Sequence, residues 1–267
     1  RQIFSGNGVV LFGPTYKADI YPQWWGAVFD STTDDSAAWQ AAINAASAGS
    51  RVVITGISAI GSAGVLIDKK TDFTLDGEGH GGIKVTGAAV RRISAMGTTV
   101  IAVTGVANTK IHGLTIDGNN TASNLIGMFQ GTGSEISDNW TTSGGQLAAI
   151  TVVGGSHNRI LRNVVRSTIG SARGYWIGNS NTVELETDVL VSNNQAYNIP
   201  ASCYAVHTLR GRWEYNLCDT TIGVGSGFAI SSAPAPLNST SSTVLYGNTA
   251  RRTVWHGFQS DANTING

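Results

Sequence analysis

The sequence predicts an all-β chain wound into a single-stranded parallel β-helix and closed at its start by one α-helix. Three features predict it. Helical periodicity is confined to one stretch within residues 21–48. Beyond it, short runs of β-branched residues follow one another closely, with glycines at most of the breaks. From Asn108 onward a unit of short strand, asparagine and second short strand keeps returning, the mark of coils stacked along one axis. One coil cannot bury its own apolar face, but a stack of coils builds a continuous core.

Taken in order, residues 1–20 carry two short apolar runs, Val9-Val10-Leu11-Phe12 and an extended piece up to Ile20, and are expected to be an arm or linker towards an upstream domain. Residues 21–50 are the capping segment. Asp34 and Asp35 follow a Ser-Thr-Thr turn, where either carboxylate can cap a helix or sit in its positive first turn. Trp39, Ala42, Ile43 and Ala46 then recur at three- and four-residue spacing as one apolar stripe, and Gly49 marks the stop. Trp24, Trp25 and Phe29 precede the helix, which therefore needs a partner as wide as its aromatic face. Residues 51–267 are expected to be coils, part of a longer chain, opening with strands at 51–54, 64–67 and 73–77.

Asn139, Asn163, Asn194, Asn216 and Asn248 mark the repeat, at intervals of 24, 31, 22 and 32 residues. The shorter intervals suit one coil and the longer ones a coil carrying a loop. Asparagine tolerates left-handed backbone, and its amide can bond the next amide across the roughly 4.8 Å between strands. A structural ladder is expected at these turns. A second set of strands falls between them. If Ile150, Ile177, Val206, Ile230 and Phe258 point inward, alternation puts Thr151, Trp176, His207, Ser231 and Gln259 on an outward ladder. Slipping that register by one residue inverts it. Cys203 and Cys218 are too few for a disulfide framework and read as two buried thiols.

Trp24-Trp25-Gly26-Ala27, an Asp-rich turn, and then Asp34-Asp35-Ser36-Ala37-Ala38-Trp39-Gln40-Ala41-Ala42-Ile43 resemble the entry segment of pectate-lyase-like right-handed β-helices. That superfamily holds phage tailspikes and polysaccharide-degrading enzymes, in which an Asp-Asp-x-x-Ala-Ile-Gln-x-Ala-Ile helix plugs the open end of the solenoid. Trp39 stands here where an aliphatic residue is usual. The resemblance implies a right-handed coil and a glycan groove on the outer face of one sheet with its adjoining loops. For a tailspike it also implies a homotrimer on a virion tail, acting on a bacterial surface polysaccharide.

On that face Trp176 and His207 would sit on neighbouring rungs, flanked by insertions at 178–188 and 232–242; the first holds Glu184, Glu186 and Asp188. Hydrolysis needs two carboxyl groups about the scissile bond, one protonated and one ionised. Glu184 or Glu186 with Glu214 or Asp219 are the candidates. Elimination needs a base and a group that neutralises a sugar carboxylate, roles open to His207 and Arg210. Trp176, Arg210, Trp213 and Trp140 are the candidate substrate-binding residues, since an aromatic face stacks on sugar C–H bonds. Plainer readings stand beside these: acids in an insertion also make a solvated loop, a lone strand histidine is commonly structural, and aromatics also fill a lumen or a subunit interface. Asp76-Gly77 and Asp117-Gly118 read as turns. Glu78-Gly79-His80-Gly81 is similar to the Gly-His-Gly of polygalacturonase-like hydrolases, but the partner motifs of that family are missing. No metal site and no cofactor is expected.

A formal net charge of zero argues against nucleic acid or an anionic membrane as the main partner. No run of eighteen apolar residues exists to span a bilayer. No secretion signal is read at Arg1, and the last residues read like mid-coil, so a piece of a longer protein is expected. The favoured function is a tailspike-like protein that binds and cleaves a bacterial surface polysaccharide. The alternatives are a secreted bacterial lyase or hydrolase, and a non-enzymatic spike or adhesin.

Overall fold

The computed structural model describes residues 2–6, 8, 10–13, 15–16, 18–61, 64–86, 91–92, 98–120, 124–145, 147–168, 170, 172–178, 186–230 and 243–260. The chain winds as a right-handed parallel β-helix with three sheets. Each coil gives one strand to each sheet, as Glu135–Ser137, Trp140–Thr142 and Ala148–Ser156 do in turn. Among the described residues every strand pair is parallel except Arg91–Arg92 against Thr98–Thr104. Parallel neighbours need a crossover, which the remaining two sides of each coil supply with the right-handed sense that twisted strands favour.

The asparagine ladder forms at the corner between the first and second sheets. Asn139 Nδ2 donates to Asn163 Oδ1, Asn163 Nδ2 to Asn194 Oδ1 and Asn194 Nδ2 to Asn216 Oδ1, each at 3.0 Å, and Asn216 Nδ2 reaches Asn248 Oδ1 at 2.9 Å. The left-handed backbone, however, falls one residue earlier than expected, on Asp138, Arg162, Asn193, Tyr215 and Gly247. That leaves each ladder asparagine free to turn its amide inward, where it also takes a carbonyl from an earlier coil, as Asn163 Nδ2 does with Ile136 O at 2.8 Å.

Inside the lumen the first sheet stacks Ile111, Ile136, Ile160, Val191, Trp213 and Leu245. The third sheet changes from aliphatic to aromatic as it climbs. Tyr175, Tyr204, Phe228 and Phe258 stack ring on ring at 4.8, 4.6 and 4.8 Å, within 7° of parallel. The buried tyrosine hydroxyls find main-chain acceptors across the lumen: Tyr175 donates to Asn163 O and Tyr204 to Asn194 O. Opposite the aromatic rings, the second sheet narrows from Val165 to Ala196, Cys218 and Ala250.

The cysteines correct the sequence reading: Cys203 and Cys218 form a disulfide, with Cα atoms 5.7 Å apart. The reason is the shape of the coil. Adjacent coils place Gly174 against Ala196 and Gly227 against Ala250 at the same corner, so close that an added Cβ would lie 3.3 and 2.5 Å from the alanine methyls. Two cysteines there are in bonding range.

At the N-terminal end the helix Ser36–Ala45 turns Trp39, Ala42 and Ile43 into the core, each fully buried. Trp39 Nε1 donates to Ser58 Oγ at 2.8 Å, and Ser58 passes the bond on to Asp35 Oδ2. The two aspartates divide their roles. Asp34 Oδ1 accepts from the Ser36 and Gly61 amides, while the Asp35 carboxylate turns back to the amides of Val28 and Phe29. Phe4, Phe12 and Tyr16 fold over this end and pack with Trp24 and Trp25.

Candidate functional site

The predicted site residues distribute over three outer faces and the lumen. On the third sheet the outward row runs Gly127, Thr151, Trp176, Ala205, Ala229 and Gln259. Thr151, Trp176 and Gln259 stand where alternation predicts. His207 does not: it lies two residues beyond Ala205, past the end of Tyr204–Val206, and Ser231 lies outside the described residues. The ring stack fixes this register, because Tyr204 over Tyr175 places Ala205, not His207, above Trp176. The rings of Trp176 and His207 still come within 6.5 Å, with His207 buried. The Arg173 guanidinium lies 4.7 Å from the centre of the Trp176 ring, and burial pushes its pKa down. Trp176 Nε1 is buried without a partner among the described residues.

The acids are not brought together. Glu184, and the 232–242 insertion, lie outside the described residues. Glu186 is fully buried and paired in register with Gly155 and Thr208. Paired residues of a parallel ladder face the same side, and Thr208 Oγ1 receives a bond from Nε1 of the buried Trp213, so Glu186 points into the lumen. Its Oε1 accepts from Asn158 Nδ2 at 2.8 Å and its Oε2 has no partner among the described residues. Burial pushes its carboxyl up to about 8. Trp213, expected at a sugar surface, is likewise a fully buried lumen residue.

Glu214 lies on the first sheet, ion-paired with Arg212. Asp219 lies on the second sheet, clamped by Arg251 and Arg252; those hydrogen bonds hold its carboxyl below the usual range. Arg210 grips Asp188 one coil below through two bonds of 2.7 and 2.6 Å, the same clip that Arg162 makes on Asp138. From Glu135 onward, every described carboxylate is ion-paired or buried.

One open surface gathers aromatic and cationic groups. On the outer face of the second sheet the Arg166 guanidinium lies 4.7 Å from the Trp140 ring centre and 4.8 Å from that of Tyr197. Trp140 is 43% exposed, and the Tyr197 hydroxyl donates to Gln195 Oε1. Arg166 has no carboxylate partner among the described residues. Sequence reasoning named Trp140 and missed its companions, although a signal existed. Arg166 and Tyr197 each stand three residues after a ladder asparagine, Trp140 and Gln195 one after, which puts all four on one outward face. Among the described residues no group of three or more His, Cys, Asp or Glu could hold a metal ion.

No protein-family model matches the chain, and no curated protein matches it in sequence. Solved structures do match in fold. The tailspike of Acinetobacter baumannii phage AM24 aligns over 99% of this chain and 53% of its own, at 14% identity and a TM-score of 0.51. The phiAB6 tailspike, solved in complex with oligosaccharides of Acinetobacter baumannii surface polysaccharide, aligns over 90% and 47%, at 15% identity and 0.52. The Agl-KA catalytic domain aligns over 94% and 48%, at 18% identity and 0.50. The chain thus spans about half the length of these proteins. What they share with it is architecture: this chain has a right-handed parallel β-helix fold.

Proposed function

We propose that this protein binds a bacterial surface polysaccharide along the outside of its coils and cleaves it, as a tailspike-like depolymerase that works as a homotrimer on a phage tail. The observation that carries the binding half is Arg166, held between the faces of Trp140 and Tyr197 on an open sheet. Stacking fixes the guanidinium plane and leaves its N–H edge for sugar hydroxyls or a sugar carboxylate. The exposed Trp140 offers an apolar face beside it. The same fold in a tailspike solved with oligosaccharides of a surface polysaccharide supports the reading.

For cleavage, hydrolysis with Glu184 and either Glu214 or Asp219 as the acids is favoured over elimination, because His207 is buried and Arg210 is held by Asp188. A second reading, a spike that binds glycan without cutting it, is favoured by one observation. From Glu135 onward no described carboxylate is both exposed and free of an ion pair, so among those residues no free acid and base pair faces a common surface. Affinity electrophoresis through gels of capsular and O-antigen polysaccharide tests the binding half. The protein is expected to be retarded in at least one gel, and Trp140→Ala and Arg166→Ala to migrate freely in it. Retardation that both variants keep would place binding elsewhere.

A further inference from the structure

A cleft at the N-terminal end, about 810 Å³ in volume, lies apart from every candidate site residue considered above. Tyr21 and Trp24 form two of its walls, ring centres 5.6 Å apart and tilted by 59°, so their faces open as a wedge rather than closing on each other. Gln23 and Thr55 also line it, joined by a bond of 2.8 Å from Gln23 Nε2 to Thr55 Oγ1. Gln23 Oε1 is buried and accepts nothing among the described residues. That oxygen is closed off, so a ligand in the cleft meets the exposed Gln23 Nε2–Thr55 Oγ1 pair, which can still donate and accept. Ile3, 62% exposed, adds an apolar edge.

The charge beside this cleft limits what can enter. The Arg51 guanidinium is shared among Asp19, Asp76 and Glu78 at 2.9, 2.7 and 2.5 Å, so three carboxylates face one cation. Tyr21 feels them: after burial, the charges of Asp19 and Glu78 raise its hydroxyl pKa. An anionic ligand is repelled there, whereas hydroxyl or ammonium protons find acceptors.

We propose that this cleft is a second sugar site, taking one neutral or amino-substituted pyranose ring with its C–H face on Trp24 or Tyr21 and its hydroxyls towards the Gln23 and Thr55 side chains, beside the charges of Asp19 and Glu78. The volume lies within the range of small-molecule sites, and paired aromatics with a few convergent polar groups are the usual lining of one. The site stands independently of the Arg166 surface, which lies on later coils.

Saturation-transfer NMR on the full chain with glucose, glucosamine, N-acetylglucosamine and glucuronate tests it. Trp24 packs against Phe4, Phe12 and Trp25 and is left intact; Gln23→Leu and Thr55→Val keep their size, and circular dichroism checks their fold. At least one of the first three sugars is expected to bind, glucuronate at least fivefold more weakly, and Gln23→Leu is expected to weaken binding about tenfold. The titrations are run in a Trp140→Ala, Arg166→Ala background, so that binding on that surface is not counted and the two readings fail separately. Binding of none of the four, preference for glucuronate, or binding that survives both cleft variants would overturn the proposal.

Discussion

Glu186 makes stability fall as pH rises from about 4.5 to about 8. Its carboxyl lies in the lumen with one oxygen bonded to Asn158 and the other to nothing among the described residues, and burial raises it from 4.5 to about 8. Between those two values the folded chain keeps a proton that the unfolded chain releases. The stabilisation is therefore complete below pH 4.5, falls as pH rises through the window, and is gone above pH 8. At about 1.4 kcal/mol per unit, the 3.5-unit difference corresponds to a loss of about 5 kcal/mol. For a chain of this size that is a fall in Tm of about 10 °C. In Glu186→Gln the amide oxygen still accepts from Asn158, but nothing titrates. Melting curves of the two proteins from pH 4.5 to 9 should diverge, with wild type losing stability steadily and the variant losing only what the rest of the molecule loses. Parallel curves would refute both the burial of this acid and its inward direction.

Four further outcomes follow from the same packing. Asn163→Ala removes the acceptor of the Asn139 amide and the donor to Ile136 O inside a fully buried corner, and should cost about 3–5 kcal/mol in thermal unfolding. Asn248→Ala, at the half-buried upper end of the ladder, should cost about 1 kcal/mol; equal losses would contradict the ladder. Replacing both Cys203 and Cys218 by alanine should cost about 3 kcal/mol through loop entropy, and thiol titration of the denatured, unreduced protein should find no free thiol where two would refute the bridge. Trp39→Ala should cost about 3–5 kcal/mol, measured the same way, because the ring fills the entry of the core.

Much of this architecture was legible because its signals are periodic or local. The five ladder asparagines bond one another in the order their spacing predicted, and the Trp39 stripe faces the core as its helical period required. What was not legible depends on which residues become neighbours only after winding. The disulfide needed the narrow corner that Gly174, Ala196, Gly227 and Ala250 reveal. The displacement of His207 needed the aromatic stack to fix the register. A second polar run, from Thr109 to Ser134, Asn158 and Glu186, was missed because its members share no residue type. For the same reason Glu186 read as a groove acid, although its place in that run turns it inward. Trp140 was named without Arg166 and Tyr197, because their shared offset from the ladder asparagines becomes a common face only when three coils are aligned.

The proposed action of this solenoid on a long glycan can be tested directly. The most direct measurement incubates the folded protein, in its native oligomeric state, with purified bacterial capsular and O-antigen polysaccharides, and follows chain length by size-exclusion chromatography together with new reducing ends and the ultraviolet absorbance of unsaturated sugars. One polysaccharide of the panel is expected to be shortened. Reducing ends without the absorbance would identify hydrolysis, and both signals together elimination. A protein that neither shortens nor is retarded by any polysaccharide of the panel would contradict the account.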